Sequence, residues 1–185
     1  YPNVRFVKYK TKEYFKAIAT VKYLVNNVSF PSYFLKREGQ VLIDTWHGTP
    51  LKNMGFDIPG ANISQGNTAR NLFSADYLVS SGPYMTESAH KKSYKMQNLY
   101  EGTVLEEGFP RNDKLFNSDR AEVIQRLQDC GVEVTADKKV ILYAPTWRGE
   151  QYSTPDTDLQ DVYKLLQVME SSVDTNEYQV LVKLH

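Results

Sequence analysis

The chain has 185 residues, with 22 Lys and Arg against 22 Asp and Glu for a formal net charge of +0. Hydrophobic residues make up 41% and charged residues 24%, the balance of a folded protein, which excludes disorder and argues against a bulk nucleic-acid or anionic-membrane surface. The one cysteine, Cys130, excludes an internal disulfide and a cysteine-based zinc site, and no apolar run approaches the ~20 residues of a membrane span.

In chain order, a helix is expected over residues 12–20, behind Thr11 as N-cap. Short runs rich in Val, Ile, Leu and Tyr predict strands over 22–26, 40–45, 77–80, 103–107, 140–144 and 179–184. Their consecutive apolar positions suit strands buried on both faces. A helix over 83–94 opens with Pro83 at its first position. Its Lys-rich stretch, His90-Lys91-Lys92, reads as a solvated face, so His90 receives no role. Asp119 with Glu122 forms a capping box for a helix carrying Val123, Ile124 and Leu127, stopped at Gly131. Leu159, Val162, Leu165, Leu166 and Met169 fall at helical spacing behind Thr157 and Asp158 as cap candidates.

Strands alternating with helices predict an α/β fold of parallel sheets. The polar, turn-rich stretch around 112–119 places a boundary between a Rossmann-like unit over 1–117 and the beginning of a second over 118–185. The opening at Tyr1 and the ending on a strand-like run at His185 lead us to expect a piece of a longer, soluble and cytoplasmic protein.

In such folds ligands collect beyond the carboxyl ends of the strands. The run after 40–45 is Trp46-His47-Gly48-Thr49-Pro50-Leu51-Lys52, an imidazole beside a glycine, a hydroxyl and an ammonium. It reads as a functional turn in preference to a histidine bonded locally beside a packed tryptophan. After 140–144 come Thr146 and Arg148, donors suited to phosphate oxygens or, equally, parts of a proline turn. After 103–107 come Arg111 and Asn112, whose reading as a rigid turn is as good as ligand contact. His185 ends the last strand and by the same rule would face a cleft opposite His47. No Gly-rich dinucleotide fingerprint, phosphate loop, serine elbow or metal-spaced cluster occurs, so neither a cofactor nor a metal is expected.

Four of these motifs occur in the order and rough spacing of one family. They are Trp46 to Lys52, Gly108-Phe109-Pro110-Arg111-Asn112-Asp113, Tyr143-Ala144-Pro145-Thr146-Trp147-Arg148 and Lys183-Leu184-His185, with Asp76-Tyr77-Leu78-Val79-Ser80 also similar. Over about residues 40–185 the chain resembles the CDP-glycerol glycerophosphotransferases, the teichoic-acid polymerases and primases of Gram-positive bacteria. The resemblance implies a GT-B-like fold, with an acceptor-side domain followed by a nucleotide-donor domain. It implies transfer of glycerol phosphate from CDP-glycerol to a hydroxyl of a lipid-linked polyol-phosphate chain, with release of CMP, by an enzyme at the inner face of the membrane.

By position, His47 matches the histidine proposed as general base, and His185 the one near the donor's phosphates. Gly48, Thr49, Lys52, Arg111, Asn112, Thr146 and Arg148 are carried over as substrate-binding positions. The family's donor domain continues beyond the equivalent of His185, commonly with a proline next, so only its opening part is expected here, and the piece alone is not expected to catalyse. Ribitol phosphate as donor unit, a nucleotide-sugar transferase or epimerase of the same architecture, and a polyanion-binding module using Lys8, Lys10, Lys12, Lys16, Lys91, Lys92 and Lys95 all remain open at this point.

Overall fold

The computed structural model describes residues 2–61, 63–145 and 159–184, with Leu159 described by its backbone only. The chain divides into two compact units, Tyr1–Phe116 and Asn117–His185, against the expected division between 117 and 118. In the first, α1 (Lys12–Thr20), β1 (Tyr23–Asn26), β2 (Val41–Asp44), α2 (Gly66–Ser74), β3 (Tyr77–Val79), a π-helix (Met85–Ser93), β4 (Thr103–Leu105) and a 3₁₀ turn (Pro110–Asn112) follow one another. The short α3 (Asp113–Asn117) precedes the elements of the second unit. These are α4 (Arg120–Asp129), β5 (Lys139–Tyr143), α5 (Leu159–Ser172) and β6 (Tyr178–Val182).

The four strands of the first unit form one parallel sheet in the order β1-β2-β3-β4, so all their carboxyl ends lie on one edge. Its core joins Leu24, Leu42, Leu78 and Val79 from the strands to Leu72 of α2, Met85 and Ala89 of the π-helix, and Trp46 and Phe109 from the loops beyond β2 and β4. Burial on both faces holds for the middle of this sheet and fails elsewhere. In β1 only Leu24 is buried, between exposed Tyr23 and Val25, and no residue of the parallel pair β5-β6 is fully buried.

Local chemistry explains the helix ends. The Thr11 hydroxyl accepts a bond from Tyr14 N–H (3.3 Å), and the Asp119 carboxylate one from Glu122 N–H (3.0 Å), the N-cap role that both positions suggest. Gly131, at φ +80°, closes α4 through its N–H to Gln128 O, a conformation that favours glycine. Val162 of α5 is buried, with Leu165, Leu166 and Met169 half-buried along the same stripe. The cap candidates Thr157 and Asp158 lie outside the described residues.

Helix α2 escaped the periodicity reading because its sequence, Gly-Asn-Thr-Ala-Arg-Asn-Leu-Phe-Ser, is mostly polar. Those polar groups serve the fold. Asn71, buried, accepts from Phe30 N–H (2.8 Å) and donates to Phe30 O (3.1 Å); Asn67 also donates to Phe30 O, and Arg70 reaches the carbonyls of Pro31 and Phe34. The long connection between β1 and β2 thus has its backbone groups satisfied by side chains of α2.

The expected helix over 83–94 forms, but its winding is π from Met85 to Ser93, with Tyr94 N–H reaching back to Ala89 O (3.0 Å). His90 corrects the sequence reading. It is buried, only 2% exposed, because Met85-Thr86, Ala89-His90 and Ser93-Tyr94 recur four apart as the inward face, leaving the lysines outside. Both ring nitrogens lack a hydrogen-bond partner among the described residues, and burial pushes the ring down from 6.5 to about 4. The unfolded chain therefore binds a proton at a higher pH than the fold does. The stability held by neutral His90 is complete above about 6.5 and is lost as pH falls toward about 4. We expect wild type to lose roughly 3 kcal/mol relative to His90→Leu across that window, read from urea unfolding midpoints. A pH-independent difference between the two proteins would contradict it.

Candidate functional site

The sheet's register brings the site residues level. Asn26 pairs with Asp44, and Asp44 with Leu78. Asn27 therefore leaves the sheet beside the loop bearing His47, while His47 and Ser81 each lie three residues beyond a registered pair.

The chain turns sharply after β2. Trp46 adopts φ +50°, a left-handed conformation that costs a bulky residue about 1–3 kcal/mol. Two interactions offset it. The Trp46 N–H donates to the Asp44 carboxylate (2.8 Å), and the indole, 8% exposed, enters the core edge-on to Tyr94. The bond satisfies the Trp46 N–H, and burial of a large apolar side chain contributes about 1.5–3 kcal/mol, comparable to the strain. With residue 46 directed inward, His47 emerges into solvent.

Three contacts then fix the exposed His47. Its ring stacks on Trp46 at 4.6 Å between centroids and 25° between planes. Its Nδ1 lies 2.7 Å from the carbonyl oxygen of Asn27, and its own carbonyl accepts from Arg111 (2.6 Å). A carbonyl can only accept, so Nδ1 carries the hydrogen and Nε2 of the neutral ring presents its lone pair outward. That is the protonation pattern a general base requires.

Around this turn Thr49 Oγ1 bonds Ser81 Oγ at 2.7 Å, linking the loops after β2 and β3. Gly108 N–H donates to Ser80 O (3.0 Å) at φ +83°, a conformation that favours glycine and that starts the loop leading to Arg111. Gly48 is different: its φ is not left-handed, and an added Cβ would meet nothing within 4 Å. Protein packing therefore does not require glycine at 48, and the space above it is open to a ligand.

His47, Thr49 and Arg111 are thus brought together by bonds between the loops of β1, β2, β3 and β4. Lys52 lies farther along the same loop, exposed. Asn112 lies on the 3₁₀ turn with its side chain in solvent, beside Arg111 but outside this bonded set. Thr146, Arg148 and His185 fall outside the described residues. Among the described residues no group of three or more His, Cys, Asp or Glu could hold a metal, and no helix is long and apolar enough to cross a membrane.

The sequence reading missed Asn27, Asp44 and Ser81, the groups that hold the turn. Asp44 had a signal: a carboxylate at the end of an apolar strand, Val-Leu-Ile-Asp, is 3% exposed and must have a use. Burial pushes its carboxyl up from 3.8 to about 6, opposed by the Trp46 N–H bond and the neighbouring His47.

The chain matches, over residues 1–185, the family described as CDP-Glycerol:Poly(glycerophosphate) glycerophosphotransferase, and it belongs to that family. It is 34% identical over 181 residues to the teichoic acid poly(glycerol phosphate) polymerase of Bacillus subtilis, covering 91% of this chain and 23% of that protein. It is 33% identical over 194 residues to the polymerase of the same description from Staphylococcus epidermidis, covering 97% and 25%. The teichoic acid glycerol-phosphate transferase of Staphylococcus aureus is 30% identical over 191 residues, covering 99% and 48%. The chain therefore spans between about a quarter and a half of these relatives' lengths. Among solved structures, the wall teichoic acid polymerase TagF matches with a TM-score of 0.68 at 34% identity, over 97% of this chain and 43% of that one. A variant of it soaked with CDPG matches at 0.70 and 32%, over 97% and 44%. The expected α/β, GT-B-like fold class holds.

Asp44 yields a pH prediction. Its proton is held more tightly folded than unfolded, so the stability it contributes is complete below about 4 and is lost as pH rises through about 6. Asp44→Asn, which keeps an oxygen for Trp46 N–H, should remove that decline. Asp44→Ala, which orphans the N–H, should cost about 1.5–3 kcal/mol near neutral pH. Urea midpoints at pH 4 and 7 for the three proteins test this; an Asn variant with the same pH slope as wild type would contradict it.

Proposed function

We propose that this chain supplies the acceptor-side unit, over 1–117, and the opening part of the nucleotide-donor unit, over 118–185, of an enzyme that transfers glycerol phosphate from CDP-glycerol to a hydroxyl of a poly(glycerol phosphate) chain. The acceptor oxygen forms a bond to the glycerol-bearing phosphorus, the bond from that phosphorus to CMP breaks, and CMP leaves with the electron pair. The hydroxyl proton passes to Nε2 of His47. The observation that carries this reading is the His47 ring, fixed by Asn27 O and Trp46 with its basic nitrogen outward at the sheet's carboxyl edge.

Transfer of this kind asks the protein mainly for position and charge. A placed imidazole adds ~10²–10⁴-fold by general base catalysis. Gly48 leaves room for the acceptor, and Thr49, Lys52, Arg111 and Asn112 line the approach as substrate contacts. Thr146, Arg148 and His185 are assigned to the donor's phosphates on the family resemblance, Arg148 by its bidentate fork and His185 as a donor to the developing negative charge. No metal or cofactor enters the scheme. The acceptor is taken to be lipid-linked and the enzyme cytoplasmic, working at the inner membrane face.

In the full-length enzyme, His47→Ala should lower kcat by at least ~10²-fold while the affinity for CDP-glycerol changes little. The rate of CMP release with polymer acceptor and equilibrium binding of CDP-glycerol measure the two effects. Turnover at the wild-type rate would remove His47 from the base role.

A further inference from the structure

Beside the histidine turn, the carboxyl edge of the sheet carries a second polar feature, the bond between Thr49 Oγ1 and Ser81 Oγ (2.7 Å). Both residues are exposed, and neither hydroxyl makes another hydrogen bond among the described residues. Two hydroxyls carry two hydrogens, and the bond between them uses one. Whichever residue donates, one O–H of the pair stays unspent, and acceptor lone pairs stay open on both oxygens.

The neighbours of Ser81 hold it in this place. Ser80 before it is fully buried, its N–H donating to Leu105 O (2.8 Å) and its carbonyl accepting from Gly108 N–H (3.0 Å). The Ser80 hydroxyl donates to Gly82 O (2.9 Å) and accepts from Thr86 Oγ1 (3.0 Å). Gly82 after it lies at φ +144°, a backbone region that favours glycine. The turn is thus fixed on both sides of Ser81, and none of these bonds uses the Ser81 side chain, which meets the loop of His47 instead.

The pair is close to the proposed base. Thr49 is two residues beyond His47, so their Cα atoms are at most ~7 Å apart. Gly48 stands between them in the chain, with open space where a Cβ would be. A ligand over Gly48 is therefore flanked by His47 on one side of the chain and by Thr49 with its bonded Ser81 on the other.

The hydrogen-bonding character of the pair matches an alcohol. A phosphate oxygen only accepts and an ammonium only donates, whereas the pair presents a donor and acceptors side by side. A glycerol esterified through an end carbon keeps two hydroxyls on adjacent carbons. One of them attacks, and the other, one carbon away, needs a partner once it leaves water.

We propose that Ser81, with Thr49 as its bonded partner, contacts the non-reacting hydroxyl of the acceptor's terminal glycerol and so determines which end groups His47 can activate. The proposal rests on the transferase reading above and adds to it a residue that recognises the acceptor's end group.

The test uses the full-length enzyme with a glycerol-ended acceptor and two analogues, each lacking one of the terminal unit's two hydroxyls. The faster analogue keeps the attacked hydroxyl and serves as the comparison. In wild type, kcat/KM for the glycerol-ended acceptor should exceed that for the comparison about 10-fold. In Ser81→Ala the ratio should fall to near 1 with KM for CDP-glycerol unchanged, and Ser81→Thr, which keeps a hydroxyl, should restore most of it. Equal losses with both acceptors, the mark of a merely structural role, or a ratio that survives in Ser81→Ala overturns the contact while leaving His47-dependent CMP release intact. Failure of wild type to release CMP from CDP-glycerol overturns the transferase reading and the contact with it.

Discussion

The left-handed backbone at Trp46 is the constraint on which the strand-end site depends. An aromatic residue resists that conformation, and it persists because Asp44, the last residue of the strand, accepts the Trp46 N–H while the core takes the indole. Reversing the chain at this point sends adjacent side chains in opposite directions, Trp46 to the interior and His47 to solvent. The buried ring then becomes the platform on which the exposed ring stacks. Strain, burial and orientation are three consequences of one turn.

The parallel sheet supplies the rest. Because β1, β2, β3 and β4 run the same way, the four loops that leave their carboxyl ends meet, and each gives a bond to the assembly. Asn27 gives a carbonyl, Thr49 and Ser81 a shared hydroxyl bond, Gly108 an N–H that shapes the last loop, and Arg111 a guanidinium. For the transfer proposed above, an imidazole held in this way would need little reorganisation when substrate arrives, the contribution a protein can make where covalent demands are small.

Much of this was legible in the residues, for identifiable reasons. Apolar β-branched runs place every strand within a residue or two of its observed range, and the hydroxyl of Thr11 and carboxylate of Asp119 mark two helix starts by a chemistry that is purely local. His47 stands out because a glycine, a hydroxyl and an ammonium follow it at a strand exit. What stayed hidden depends on distant partners. Helix α2 shows no apolar stripe because its Asn67, Arg70 and Asn71 are spent on the loop at Phe30 to Phe34. His90 read as solvated from the lysines after it, but the widened winding of its helix turns it inward. Asn27 gains its role only through register, which pairs Asn26 with Asp44 across eighteen positions of sequence and which no local pattern encodes.

The proposed chemistry depends on which nitrogen of the His47 imidazole is free. Heteronuclear NMR of the protein labelled with nitrogen-15 at histidine, above the pH where the ring is charged, reads the tautomer directly from the two ring nitrogen shifts. With Nδ1–H held by the Asn27 carbonyl, the prediction is a protonated Nδ1 and an unprotonated Nε2 in a single dominant form. A ring found mainly as the Nε2–H tautomer would contradict the account, since its outward nitrogen would then have no lone pair with which to take the acceptor's proton.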